Sequence, residues 1–170
     1  MTTVITIACL CSTLYLLGVL TYIDLKYRLL PNPYVAGVFV MGITFQITTN
    51  FHFVSPIDII GGMIAGGGLL FFVRYIANRA YNQDTLGLGD VKLMGAAGIW
   101  LGVEHIFLAI SLGAFAGLVH GILYAHTTSK KTGENIPLTT LSIPAGPGFI
   151  FGIIAVGIFK FYTLPLYLGL

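Results

Sequence analysis

Six apolar runs, separated by short breaks that hold most of the chain's charge, constrain its fold more than any other feature. Read to about three residues at each end, they cover 3–23, 34–50, 57–77, 88–103, 106–126 and 143–163. Pro31-Asn32-Pro33 breaks the chain after the first run, Ser55-Pro56 opens the third, and Pro137 and Pro144 bracket the approach to the sixth. Charged residues make up only 8% of the 170 positions while 56% are hydrophobic, about a third of the usual charged share. A chain of this composition cannot surround itself with water. The expected fold is therefore all-α, a polytopic membrane protein with about six transmembrane helices forming one domain over 1–170.

A net charge of +2 and the lack of a basic tract argue against a nucleic-acid partner. The first run has no basic region before it and is long enough to cross a bilayer, so it reads as a span rather than a cleaved signal peptide. Cys9 and Cys11, two positions apart on a helix, point to different sides and form no expected site. His120 and His126 also lie on different faces, so no metal is expected.

Lysines and arginines set the orientation. Lys26 and Arg28 follow the first run, Arg74 and Arg79 close the third, and Lys130 and Lys131 follow the fifth. The other loops carry none, and Lys160 alone stands toward the far side. The amino terminus is then expected outside, with the loops after runs one, three and five in the cytoplasm. The fourth run is short. Lys92 to Glu104 is twelve helical steps, about 18 Å against about 30 Å of hydrocarbon. With Glu104 at the outer edge, Asp90 would lie in a recess about 9 Å below the cytoplasmic boundary. Glu104 and His105 read as a solvated outer turn. Glycines four apart (Gly62/Gly66, Gly98/Gly102, Gly113/Gly117/Gly121 and Gly148/Gly152) read as close helix contacts.

Two aspartates stand out against this background. Asp24 ends the first run, in Tyr22-Ile23-Asp24-Leu25-Lys26, and Asp90 opens the fourth, in Gly87-Leu88-Gly89-Asp90-Val91-Lys92. A carboxylate at the border of hydrocarbon is costly and suggests function. Two of them a few ångströms apart share one proton, so that one activates water as a base while its neighbour donates as an acid. Gly87 and Gly89 would let backbone approach a peptide closely. Lys26, Arg28 and Lys92 are candidates for tuning charge or contacting substrate, with interfacial anchoring as the competing reading. The structural alternatives stay open here: Asp90 as a helix cap, Asp24 as a juxtamembrane charge paired with Lys26 or Arg28. Asp58, just after Pro56, reads as an interfacial cap.

The segment Gly87-Leu88-Gly89-Asp90-Val91-Lys92-Leu93, continuing to Gly95-Ala96-Ala97-Gly98-Ile99-Trp100-Leu101-Gly102, resembles the Gly-x-Gly-Asp motif of the type IV prepilin peptidases. Asp24-Leu25-Lys26-Tyr27-Arg28-Leu29-Leu30-Pro31-Asn32 is similar to that family's first aspartate segment, and Ile143-Pro144-Ala145-Gly146-Pro147 to its carboxy-terminal Pro-x-Gly-Pro stretch. The three occur in the family's order. Presenilin-type proteases share Gly-x-Gly-Asp, but the remaining sequence is less like theirs.

The resemblance implies a membrane aspartic endopeptidase of the cytoplasmic (inner) membrane. It would cleave leaders from prepilin-like or preflagellin-like precursors on the cytoplasmic side, with Asp24 and Asp90 catalytic. No metal, other cofactor or covalent intermediate is implied. Long members add a cytoplasmic domain with paired Cys-x-x-Cys, and this chain resembles the short forms without it. N-methylation of the product is not expected, since no soluble segment is long enough for such a site. Asp84 stands near a position where the family often has an acidic residue, displaced here, and it receives no role. Two other classes compete: a small transporter or proton-coupled channel using the aspartates as ion sites, and a non-catalytic assembly scaffold.

Overall fold

The computed structural model describes residues 2–82, 84–132 and 144–169, with the backbone alone at 125 and 127–132. Pro137, Ile143 and the side chains of Lys130 and Lys131 lie outside the described residues. What is described is all-helical: α1 (Thr2–Tyr27), α2 (Asn32–Thr48), α3 (Pro56–Tyr81), α4 (Leu88–Thr132), α5 (Gly146–Lys160) and α6 (Leu164–Leu168). Three stretches, Thr2–Tyr27, Pro56–Tyr81 and Leu88–Tyr124, are long and apolar enough to cross a membrane, and Gly146–Lys160 is a shorter apolar helix. Large apolar side chains such as Val4, Ile57, Ile64, Phe115 and Ile158 are exposed all around the bundle. In water such a surface would aggregate, whereas in lipid it is solvated.

One element differs from the expected turn at Glu104 and His105. Helix α4 breaks at Gly102, where φ is 70° and ψ −180°, a conformation essentially confined to glycine. The chain reverses there: a side chain placed at Gly66 would meet both the Met94 carbonyl at 2.4 Å and Ile106 Cγ1 at 2.9 Å. Along a straight helix those two residues would stand about 18 Å apart. The break frees the carbonyls of the preceding turn, which need partners in an apolar interior. Gln46 of α2 donates to Ile99 O at 2.9 Å, and Lys160 of α5 donates to Leu101 O at 2.8 Å. The charged pair read as the turn thus lies just beyond the reversal. Glu104 is exposed, but His105 is half-buried and faces Phe159.

Glycines make the remaining contacts close. A Cβ on Gly98 would fall 2.2 Å from the backbone of Gly62, so α3 and the first arm of α4 touch main chain to main chain. Gly148 and Gly152 do the same against Gly113, Gly117 and Ala109 in the second arm. The packing expected at Gly62, Gly66, Gly98, Gly113, Gly148 and Gly152 is present, whereas a Cβ on Gly117 would meet nothing within 4 Å, although Gly148 closes on its backbone; Gly102 also supplies the reversal. Near that end Phe45 is wholly buried among Trp100, Phe53 and Phe161, and Trp100 Nε1 donates to Val38 O at 3.1 Å. The unanticipated α6 caps this cluster, its Tyr167 hydroxyl donating to Thr49 O at 3.1 Å. Asp58 is not itself the cap of α3: Ser55 caps it by accepting from the Asp58 N–H at 3.2 Å, and its hydroxyl donates back to the Asp58 carboxylate at 2.7 Å.

Gly102→Ala is expected to cost about 1–3 kcal/mol by forcing a Cβ into this conformation. A lowered thermal midpoint in detergent would show it. Gly157→Ala, where a methyl meets nothing within 4 Å, should not lower the midpoint. An unchanged midpoint for Gly102→Ala would mean that the reversal does not depend on glycine.

Candidate active site

Asp24 lies in the last turn of α1, one turn before the chain leaves the helix. The helix closes with Arg28 at φ 54°, in the left-handed region, where its N–H donates to Asp24 O at 2.8 Å. Leu29-Leu30-Pro31 then crosses to α2. Leu30 is buried, and it is the piece around which the site is built. A Cβ on Gly89 would lie 2.7 Å from Leu30 Cβ, and one on Gly146 would lie 3.4 Å from Leu30 Cδ1. The three segments singled out in the sequence therefore converge on one apolar side chain.

Asp90 belongs to the first turn of α4, which begins at Leu88, so it is not the cap of a helix starting at Val91. Its N–H donates to Gly87 O at 3.2 Å, closing that turn. A Cβ on Gly87 would stand 3.0 Å from Asp90 Oδ2, so this glycine leaves room for the carboxylate itself. Asp24 and Asp90 are only 5% and 6% exposed. Both line a cavity of about 410 Å³, together with Arg28, Leu30, Asn32, Gly87, Gly89 and Lys92. That volume falls within the range of ordinary ligand pockets.

The two carboxyl groups differ in their partners. Asp24 Oδ2 accepts the backbone N–H of Gly146 at 3.1 Å, across 122 positions of sequence. No ion pair joins Asp24 to Lys26 or Arg28 among the described residues. Asp90 Oδ1 is buried without a hydrogen-bond partner among the described residues. An oxygen in that condition is costly unless a water or a substrate group reaches it.

Of the cations named from sequence, Arg28 and Lys92 reach the cavity. Lys92 Nζ donates to Asn32 Oδ1 at 3.0 Å, tying the start of α2 to the start of α4 at the rim. Lys26 instead lies over the rings of Tyr22 and Tyr27, 5.8 and 5.1 Å from their centroids. Gly146 and Leu30 lie inside the segments quoted from sequence, but nothing local marks them as neighbours of a carboxylate. Among the described residues no three His, Cys, Asp or Glu side chains gather to hold a metal ion. A larger cavity of about 570 Å³ lies between α1 and α5 toward the opposite end, walled by residues such as Leu10, Leu17, Trp100 and Phe161. It contains no carboxylate, so the groups able to do chemistry point to the smaller one.

Comparison with known proteins identifies a family and relatives. The model of the type IV leader peptidase family matches residues 11–122, a stretch containing both aspartates and Gly87-Leu88-Gly89. A prepilin leader peptidase/N-methyltransferase of Pectobacterium carotovorum subsp. carotovorum is 31% identical over 143 residues, 82% of this chain and 48% of that protein. One of Aeromonas hydrophila is 33% identical over 129 residues, 74% of this chain and 43% of that protein. One of Stutzerimonas stutzeri is 28% identical over 119 residues, 69% of this chain and 40% of that protein. The chain thus spans about half the length of the curated relatives it matches. No solved structure matches it significantly. With about two thirds of its length covered by one family model and the two carboxylates gathered at one cavity, the chain belongs to the type IV leader peptidase family.

Proposed function

We propose that this chain is a membrane-embedded aspartic endopeptidase that removes the leader from type IV prepilin-like or preflagellin-like precursors. The observation that carries the reading is the pair of buried carboxylates, Asp24 and Asp90, lining one cavity from two different helices. The reaction needs one ionised and one protonated carboxyl group, which two closely held aspartates supply by sharing a proton. An amide N–H suits the member that carries the negative charge, so Asp24, held by Gly146, is assigned as the base that takes a proton from the attacking water. Asp90 then donates its proton to the scissile carbonyl as the tetrahedral diol forms. Collapse of the diol breaks the C–N bond, and a proton returns to the leaving amine. Asp90 Oδ1, unpartnered among the described residues, is the oxygen that would carry the proton donated to the substrate carbonyl. Arg28, Asn32 and Lys92 form the polar rim at which the peptide enters.

The proposed placement is in the cytoplasmic membrane with six crossings, α4 contributing two through its reversal at Gly102. The amino terminus would lie outside and the cavity would open to the cytoplasm, as the distribution of lysine and arginine favours. Supporting this, Asp24, Asp90 and Gly146 gather at one end of the bundle, while Asp58, Gly102 and Lys160 gather at the other. A transporter has less support, since both carboxylates open on one cavity at one end.

The test is to co-express the chain with small pilin-like precursors from the same genome and to sequence the amino termini of the products. Loss of a short basic leader, cut just before the apolar stem, is the expected result. Intact precursors throughout, in cells holding folded chain in the membrane, would overturn the proposal.

A further inference from the structure

The connection between α3 and α4 is bound far more tightly than a link preceding two glycines needs to be. Helix α3 ends at Tyr81 and Asn82 turns left-handed, with φ 51°. The chain then folds back so that Asp84, Thr85 and Leu86 meet side chains from the last two turns of the helix it has just left. Arg74, largely buried, donates through Nη2 to Asp84 Oδ1 at 2.6 Å and through Nη1 to the carbonyl of Leu86. Asn78, one turn further, donates to the same Asp84 oxygen at 2.9 Å. Its own Oδ1 accepts the Thr85 N–H and the Thr85 hydroxyl, each at 2.9 Å. Two side chains at i and i+4 of one helix thus hold three consecutive residues, while Leu86 packs partly against the core.

The next four residues are Gly87, Leu88, Gly89 and Asp90. Glycines loosen the backbone on both sides of Leu88, and the first turn of any helix lacks half its hydrogen bonds. Left to itself this turn would fray and carry the Asp90 carboxylate with it. We propose that Arg74 and Asn78 are positioning residues: by clamping 84–86 they hold the first turn of α4, and hence Asp90, at the cavity. The inference rests on the peptidase reading for its kinetic consequence, but the ordering of the turn can be measured without any substrate. Arg74 suits the task because its planar fork reaches the carboxylate and the carbonyl through two separate nitrogens in a fixed geometry, which the single nitrogen of a lysine does not impose.

The experiment compares the full chain in lipid nanodiscs with Arg74→Met, Arg74→Lys, Asp84→Asn and Asn78→Ala, using Arg79→Gln as a control for charge alone. Asp84 is exposed, so its change leaves the apolar packing intact. Two readouts are taken: hydrogen exchange of amides 87–91, and kcat and KM on a cleaved precursor. In Arg74→Met, exchange is expected to rise at least about tenfold over this turn while 94–101 stay protected. In the same variant kcat falls by about ten- to a hundredfold with KM within about threefold. Arg74→Lys, Asp84→Asn and Asn78→Ala fall between Arg74→Met and the unsubstituted chain, and Arg79→Gln matches the unsubstituted chain. Unchanged exchange at 87–91 in Arg74→Met overturns the proposal whatever happens to activity, as does raised exchange with undiminished kcat. If the unsubstituted chain cleaves no precursor, the peptidase reading fails by itself, and exchange alone decides whether the clamp orders the turn.

Discussion

Asp24→Asn and Asp90→Asn, made one at a time, should each reduce precursor cleavage by on the order of 10²- to 10⁴-fold, the range ascribed to a positioned acid or base. The double variant should be little worse than either alone, because residues that act as a unit lose most of their effect together. The amide is nearly isosteric with the carboxyl group, so folding should survive. An amide at position 90 can still occupy the space left by Gly87, and one at position 24 can still accept the Gly146 N–H through its carbonyl oxygen. What neither amide can do is exchange a proton with water or with a peptide carbonyl. The measurement is the initial rate on one precursor, with membrane level and thermal midpoint checked for each variant. Normal processing by either single variant would remove that residue from the reaction. Independent, multiplying losses would mean that the two groups do not work as a pair.

The second large effect is expected at a residue with no side chain. Gly146→Ala would put a methyl 2.5 Å from Asp24 Oδ2 and 3.0 Å from its Cγ. The carboxylate cannot swing into bulk water to escape, because it is buried at the end of α1 and Leu30 stands beside the same glycine. Relief requires a shift of about an ångström in Asp24 or in the start of α5. Displacements of that size cost about a hundredfold in rate when they misplace a reacting group. We expect kcat to drop by about that factor with KM changed little, since Arg28, Asn32 and Lys92, the rim at which we propose the peptide enters, are untouched. Gly157→Ala, on the same helix in open space, should retain full activity. A Gly146→Ala enzyme with an unaltered kcat would mean that the amide at this position does not govern Asp24.

These expectations differ in how far they can be reached from residues alone. The Asp24 and Asp90 substitutions follow from local signals: carboxylates at the edges of apolar runs, one inside Gly-x-Gly-Asp. The Gly146 substitution does not. Its segment stands out by resemblance, yet the donor–acceptor pair joins positions 122 apart, and no periodicity reports such a contact. Helix limits behave in a comparable way. Polarity ends the first run at Ile23, but backbone hydrogen bonding carries α1 on to Tyr27. Charge seeks water and points to Glu104 and His105 for the reversal, whereas the backbone needs the conformation available at Gly102. Asp84 has no role legible in the sequence, since its partners, Arg74 and Asn78, lie on the preceding helix and nothing local ties them to it.

Hydropathy and charge spacing are properties of neighbouring positions, and by themselves they determined an apolar, all-helical chain with two isolated acids and the cations that border them. Bringing those acids to a common cavity is another matter. It depends on how each helix is rotated and how deep it sits against the next. Those quantities are set by main-chain contact at Gly62 and Gly98, by the turn at Gly102 and by Leu30 wedged between Gly89 and Gly146. Because each such contact is decided jointly by two distant segments, only the tertiary structure could reveal that Asp24 is held by an amide from α5 while Asp90 keeps one oxygen unpartnered among the described residues.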